Sequence, residues 1–373
     1  MRRGDQRPGP ARRSQSRDVK PRRRAPRSPD QQTAAPTKTR GAPLFVFLTE
    51  PGLADLALAE LKHLKLVERR ARPLRLNLRS HDMLVLPGSL VDVGRARSRL
   101  CTNVLAAPIF GRGAITPRQL DHLAALFRAG GYRRLVSSVA GAAFDRPELM
   151  RWLARELGRR GVPLAETGRA VRLLVVDEAF YFGEERQNHH DAPGRGESAT
   201  RSGALPPTIA AAMAFAAKLG AAETVWDPTA GTGNVLAEVA ALAPDALLMA
   251  TDVDAAALRA LERRAPPSAR RWIQAADAAT AELPTKALSL TIANLPFGRR
   301  YVAEGGNAAF YAGVLASSLR HAGGQWRGVF LTSDAAAMRD AAHRSGLTAT
   351  TAADIRVRGL PATIWRVERP AGA

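Results

Sequence analysis

Apolar positions change their spacing along this chain in a way that marks out successive elements. Leu44–Thr49 is a short apolar run closed by Glu50-Pro51-Gly52. Leu53, Leu56, Leu58, Leu61 and Leu64 then recur at helical spacing. Leu74, Leu76 and Leu78 alternate with polar residues, a half-buried strand, and Met83–Leu86 follows as its hairpin partner. The same reading predicts a helix through Leu90–Leu100, a strand near Val104–Phe110, a helix over Pro117–Ala129 and a strand over Arg134–Val139. A further helix starts near Arg146. Asp145 and Glu148 stand at capping-box spacing, and Pro147 suits a first turn. Val171–Val176 and Ala179–Phe182 read as closing strands. Residues 43–185 are thus expected to form a small α+β region with nothing in it arranged for catalysis. A polar connection, Glu184–Ala204, carries the linker 186–203.

From residue 204 to 373 the rhythm becomes regular. A helix over Pro207–Leu219 and a strand over Glu223–Trp226 lead into a Gly-rich turn. Then come a helix, a strand at Ala246–Ala250, a helix, and strands at Trp272–Ala275 and Ala287–Ala293. A helix, a strand, a helix and two last strands finish the chain. Alternating β and α units predict an α/β fold with a parallel sheet covered on both faces. The last two strands, Ala353–Val357 and Thr363–Val367, are joined by Arg358-Gly359-Leu360-Pro361 with no helix between them. Such an ending requires an antiparallel edge hairpin.

Charge refines the picture. The chain has 373 residues and a formal net charge of +21. Residues 1–40 alone carry 13 Lys/Arg against three acids, or +10, with six prolines and only Met1 and Val19 as aliphatics larger than Ala. Such a segment cannot bury enough apolar surface to offset its ordering entropy, so residues 1–42 read as a disordered basic tail. It serves either as a nucleic-acid-seeking arm, gaining affinity by counterion release, or as a solubilising tail; a cleaved transit peptide is a weaker third reading. No apolar segment follows the basic start, which argues against a secretory signal, and no apolar run is long enough to span a bilayer. A single cysteine, Cys101, excludes an internal disulfide and any multi-cysteine zinc site. His189-His190-Asp191 lies in the polar connection without a third ligand at a useful offset, so no metal is expected. A reducing, cytoplasmic setting follows from this usage.

The densest chemistry lies at successive strand ends. Asp227-Pro228-Thr229-Ala230-Gly231-Thr232-Gly233-Asn234 follows a strand and opens a helix. Its glycines allow a tight turn and close backbone approach, and the helix start offers N–H groups to an anionic group. Leu236 stands where a dinucleotide fold would need its third glycine. The pattern therefore suits a nucleoside bearing an amino-acid tail. Asp252 ends the next strand, placed to accept from ribose hydroxyls, whereas Asp254 looks like a helix cap. Asp277-Ala278 ends the third strand, where a carboxylate can accept from an adenine amine. The fourth runs into Asn294-Leu295-Pro296-Phe297-Gly298. An exocyclic amine is a poor nucleophile because its lone pair is delocalised into the ring. Two carbonyl acceptors, the Asn294 side chain and the Leu295 backbone, would draw that pair out of the ring plane, and Phe297 supplies a stacking face. The base must leave its stack to enter. Arg299 and Arg300 follow and could clamp phosphate.

Residues from about Pro206 to Val367 resemble a class I S-adenosylmethionine-dependent methyltransferase. The resemblance rests on the order DPTAGTG, TDVD, QAAD, NLPFG and on the terminal hairpin. NLPFG is similar to the (N/D)PP(Y/F) motif of amino-group methyltransferases. Within that group the chain resembles the THUMP-domain tRNA guanine-N2 methyltransferases and their rRNA relatives, through Thr49–Leu61, Arg201–Met213 and Ile355–Arg369.

The resemblance implies a seven-stranded, Rossmann-like sheet preceded by a ferredoxin-like or THUMP-like RNA-binding region. S-adenosylmethionine is the implied cofactor and RNA, above all tRNA, the implied partner. It places Asp227, Thr229, Gly231 and Gly233 on the methionine side of the cofactor. Asp252 falls on the ribose, Asp277 and Ala278 on the adenine. Asn294, Leu295, Pro296 and Phe297 form the base pocket, with Arg299 and Arg300 on the substrate. Leu295 departs from the family's first proline, which is expected to loosen the loop. The same acceptor pair serves DNA adenine or cytosine amines and protein glutamine, and a decayed RNA-binding module is a third reading.

Overall fold

The computed structural model describes residues 43–78, 80–92, 97–140, 145–188, 205–264, 270–296 and 306–370. The basic tail, most of the polar connection with its His-His-Asp, and Phe297, Arg299 and Arg300 lie outside the described residues.

The first sheet is built from β1 (Leu44–Thr49), β2 (Leu74–Leu78), β3 (His81–Pro87), β4 (Cys101–Arg112), β5 (Arg134–Ala140), β6 (Ala170–Val176) and β7 (Ala179–Asn188). Its order is β2-β3-β1-β4-β7-β6-β5. Only β5 and β6 pair in parallel; the other pairs are antiparallel. The two ends of the sheet approach one another, β2 against β5 and β6, so it curls on itself. Val46, Met83, Val85, Leu105, Leu174 and Tyr181 fill one face of the curl. Helices α2 (Pro117–Gly130) and α3 (Arg146–Arg159) cover part of the other face through Leu123, Phe127, Leu153 and Leu157. Both start as their sequences dictate: Thr116 caps α2 in a full capping box with Gln119, and Asp145 caps α3 by accepting from the Glu148 N–H at 2.8 Å.

Two expectations fail in this region. No helix runs through Leu90–Leu100 among the described residues. Gly88–Leu90 is a single 3-10 turn, and Val91 is extended in a bridge to Val67. The apolar spacing there reflects burial of Leu100 and Cys101 against Glu60 and α1 (Ala54–His63), not a helical stripe. The expected polar connection also begins too early: β7 continues to Asn188, because Glu184 and Glu185 pair with β4 and leave their side chains at the sheet surface.

The second sheet follows the predicted rhythm throughout. It runs α4 (Pro207–Ala216), β8 (Thr224–Asp227), α5 (Asn234–Leu242), β9 (Leu247–Asp252), α6 (Ala255–Arg264), β10 (Arg271–Ala275) and β11 (Leu288–Asn294). It continues with α7 (Asn307–His321), β12 (Ala322–Thr332), α8 (Ala335–Arg344), β13 (Thr348–Val357) and β14 (Leu360–Glu368). The order is β10-β9-β8-β11-β12-β14-β13, with β14 antiparallel to both neighbours. Alternate residues bury on opposite faces: Val225, Leu248, Leu290 and Val329 on one, Trp226, Met249, Ala293 and Phe330 on the other. The order reverses between β8 and β11, so their carboxyl ends flank a topological switch point, where α/β sheets form their ligand crevice.

The two sheets share a core. Phe45, Phe47, Leu84 and Leu86 of the first sheet, with α1, belong to the same buried cluster as Ile209, Met213 and Ile364 of the second. Gly52 sits so close to β13 that a Cβ there would stand 1.8 Å from the Asp354 carbonyl oxygen. Arg99 pairs with the buried Glu238 of α5 at 2.5 Å.

Candidate active site

The chain turns sharply after β8, and the turn is tied down at both ends. Gly231 and Gly233 have φ of 52° and 81°, which L side chains rarely adopt. A Cβ on Gly233 would stand 2.7 Å from Leu261, so that glycine also permits α6 to pack closely. A Cβ on Gly231 would meet nothing within 4 Å. The Ala230 N–H donates to the Thr251 carbonyl at 3.0 Å, and the Gly231 N–H to the Asp252 carboxylate at 2.7 Å. Asp252 accepts a second bond from the Asp254 N–H at 2.9 Å. It is thereby held half-buried at the end of β9, oriented by the glycine turn itself.

Asp227 is different in kind. It is 1% exposed, and one backbone N–H, that of Thr229, reaches its carboxylate at 3.1 Å. Burial pushes its carboxyl up to about 8; the Thr229 bond opposes this, and the nearby Asp252 charge adds to it. A buried carboxylate so poorly supplied with donors is a ready counter-charge for a cationic group.

Across the switch point, the Thr229 hydroxyl donates to the Asn294 backbone carbonyl at 3.1 Å, joining the glycine turn to the end of β11. The Asn294 side-chain carbonyl oxygen is buried and has no hydrogen-bond partner. Burying such a group unpaired costs about 1–3 kcal/mol. Leu295 is 1% exposed, and its N–H donates to the Leu331 carbonyl at 3.0 Å. A proline at this position could not make that bond. The expected loosening is therefore offset: packing and one added hydrogen bond fix Leu295. The Pro296 carbonyl accepts from the Tyr311 hydroxyl at 2.9 Å, and that hydroxyl meets Thr332 at 2.6 Å. Burial pushes the Tyr311 phenol up to about 12, so it stays protonated as a donor.

The structure thus brings Asp227, Thr229, Gly231, Gly233, Asp252, Asn294, Leu295 and Pro296 to one edge of the sheet. Asp277 stands exposed at the third strand end and spends one oxygen on the Ala279 N–H at 2.7 Å; its neighbour Ala278 is buried. Asp254 caps α6 through the N–H groups of Ala256 and Ala257, as expected. Sequence reasoning passed over Tyr311 and Thr332. It also missed Val253, which is 79% exposed directly after Asp252 and offers an apolar face beside that carboxylate. An aliphatic residue following a strand-end acid was the available signal.

The residues fit a cationic nucleoside with an amino-acid tail. Asp227 has a single donor, Gly231 leaves room above the turn, and Asp252 is a fixed acceptor. Among the described residues no group of three His, Cys, Asp or Glu could hold a metal ion, and no helix is long and apolar enough to cross a membrane.

This doubly wound sheet, with its reversed terminal strand and strand-end acids, has the fold of the class I S-adenosylmethionine-dependent methyltransferases, and S-adenosylmethionine is the cofactor. Within that class, residues 196–362 match the UPF0020 family, described as an RMKL-like methyltransferase domain. Among solved structures the chain is similar to TrmN from Thermus thermophilus, at 23% identity and a TM-score of 0.69, over 87% of this chain and 99% of that one. It is also similar to a possible methylase from Clostridium difficile 630, at 12% identity and a TM-score of 0.66, over 89% and 100%. A third is SMU.472, a putative methyltransferase complexed with SAH, at 12% identity and a TM-score of 0.63, over 90% and 100%. The match therefore extends through the first sheet as well as the second. No curated protein matches the chain.

Proposed function

We propose that this protein methylates an exocyclic amine of a nucleobase in RNA, the N2 amine of a guanosine in tRNA. The observation that carries the reading is the buried, unpaired side-chain oxygen of Asn294 at the end of β11, next to the glycine turn. An acceptor left unpaired in a folded protein is matched to a donor that arrives with the substrate, and an amine N–H is such a donor. The cofactor, when bound, supplies an electrophilic methyl group. Asn294 and the Leu295 carbonyl accept from the amine's two N–H groups, which localises the lone pair and aims it; the new N–C bond would replace the methyl–sulfur bond, the thioether S-adenosylhomocysteine would leave, and the methylated amine would give up one proton. Much of the rate then comes from proximity and orientation, for which effective molarities reach about 10⁵–10⁸ M. Asp227 faces the cofactor's ammonium group, Asp252 its ribose hydroxyls, and Asp277 with Ala278 its adenine. Arg299 and Arg300 hold substrate phosphate, and Phe297 stacks on the base.

The choice of tRNA guanine is supported by the motif resemblance, while the fold shared with TrmN through both sheets supports the coarser reading of a methyltransferase with an added first region. The smaller α+β region, which runs to the end of β7 at Asn188, holds the RNA, and the connection after it leads into the methyltransferase domain. The test is incubation of the purified protein with labelled S-adenosylmethionine and bulk RNA, followed by mass spectrometry of the nucleosides. N2-methylguanosine in the tRNA fraction is expected. Label confined to DNA or protein would overturn the RNA reading, and labelled N6-methyladenosine would overturn the guanine reading.

A further inference from the structure

A second buried acceptor lies at the same sheet edge, and no role above uses it. Asn307 opens α7. Its side-chain carbonyl oxygen, like that of Asn294, is buried without a hydrogen-bond partner. The amide's orientation is fixed by chemistry. Its Nδ2 lies 3.0 Å from the Asp334 carboxylate, which can only accept, so the nitrogen must face Asp334 and the oxygen must face away. Asp334 cannot turn to release it. Its other oxygen caps α8 through the Ala337 N–H at 3.0 Å, and its own N–H donates to the Thr332 hydroxyl at 3.0 Å. Thr332 in turn meets the Tyr311 hydroxyl that holds the Pro296 carbonyl. One chain of hydrogen bonds therefore orients the Asn307 amide and the loop that follows Asn294. In the β11–β12 register, Asn294 lies opposite Leu331, one residue before Thr332.

We infer that Asn307 is a base-recognition residue, whose oxygen accepts from the ring N–H beside the amine that Asn294 engages. The inference rests on the reading of this site as a nucleobase-amine methyltransferase and adds a reason for its base preference. Guanine carries an N1–H donor next to its N2 amine. Adenine and cytosine carry a bare ring nitrogen, an acceptor, next to theirs. A fixed carbonyl oxygen at that place pairs with guanine and opposes the lone pair of the other two. A site built to bond a donor rejects an analogue that lacks it, since its own buried acceptor then stays unpaired.

The test compares two forms of the tRNA methylated in the preceding experiment, one with guanosine and one with 2-aminopurine at the methylated position. 2-Aminopurine keeps the amine but has no N1–H. The wild type should favour guanosine by about tenfold to a hundredfold in kcat/KM. Asn307→Ala should bring that ratio to within about threefold, with the dissociation constant for S-adenosylmethionine unchanged. The double variant N307D/D334N, which re-forms the pair with donor and acceptor exchanged, should restore the guanosine preference. If N2-methylguanosine is the product yet Asn307→Ala keeps the full preference, the inference fails while the proposed function stands. If the product is methylated adenine or cytosine, or no RNA is methylated, both fail, and the nucleoside analysis reports which.

Discussion

Two buried carboxylates, one in each sheet region, separate holding the fold from poising a site. Glu60 on α1 is 4% exposed and accepts from the Ser98 hydroxyl at 2.5 Å, the Arg99 N–H at 2.8 Å and the Leu100 N–H at 3.2 Å. Asp227 at the end of β8 is 1% exposed and is reached by a single N–H. Burial is the same; the supply of donors is not. Three donors make Glu60 the anchor of the irregular stretch before β4, where the expected helix does not form. One donor leaves Asp227 carrying most of its desolvation cost, with its carboxyl pushed up to about 8. Unpaired Asn oxygens repeat the contrast: two of the three buried side-chain polar atoms without partners, among the described residues, lie at the carboxyl edge of the second sheet. Polar groups in the first region are satisfied internally, as with Thr49 on the Leu100 carbonyl and Thr102 on the Leu48 carbonyl. Incomplete pairing, more than burial, marks the place where a ligand belongs.

The sharpest break of this contrast is Asn294→Ala. Turnover in a labelled-methyl assay should fall by about a hundredfold to a thousandfold, the usual cost of removing one preorganised bond to a reacting group. Calorimetry should show cofactor affinity unchanged; preserved turnover would sink the assignment. Glu60→Ala should do the reverse. It strands three donors and should cost about 3 kcal/mol of stability in a denaturant titration, while the surviving folded enzyme keeps its kcat. A large loss of kcat with stability intact would erase the distinction between the two carboxylates. Asp252→Ala should weaken S-adenosylmethionine binding by about tenfold to a hundredfold, through loss of charge-assisted bonds to the ribose.

Asp227 predicts a pH dependence with a definite sign. Its folded value of about 8 exceeds the ordinary 3.8, so the folded protein keeps a proton that the unfolded chain gives up in between. The ligand-free protein should therefore lose stability as pH rises from 3.8 to about 8, and no more beyond. Cofactor affinity should move the other way, tightening up to about tenfold per pH unit below that value, since a cation needs the carboxylate. Asp227→Asn should flatten both profiles, by thermal melts and by calorimetry; a slope that survives it belongs to another group. The smallest effect is expected from deleting residues 1–40. It should leave kcat unchanged within about twofold and lower RNA affinity and its salt slope, as loss of phosphate contacts does.

Much of the second sheet was legible because its cues are local. Every strand and helix from Pro207 onward appears in the predicted order, since period and turn residues decide them within a few positions. Asp254 as a cap and Asp145 as a cap were legible for the same reason. The failure at Leu90–Leu100 has the opposite cause. What organises that stretch is Glu60, some 40 residues earlier in the chain, and no local period reveals it. The motifs located the site, but they did not show which of its polar atoms lack partners. Asn307 sits in an undistinguished GGNAAF, and its meaning comes from Asp334 and Thr332, brought there by β12. Sequence alone suggests a loss of stiffness at Leu295; its bond to Leu331 exists only once β11 and β12 are paired.

The shared core between the two sheets has a metrical consequence. Phe47, α1 and α4 pack in one buried cluster, Gly52 is wedged against β13, and Arg99 is pinned to α5, so the first sheet cannot slide over the second. The distance from any RNA held by the first sheet to the Asn294 edge is then a constant of the molecule. On the proposed function, such a protein would work as a gauge, selecting its nucleotide by how far along the RNA that nucleotide lies and leaving Asn294 and Asn307 to check only which base has arrived.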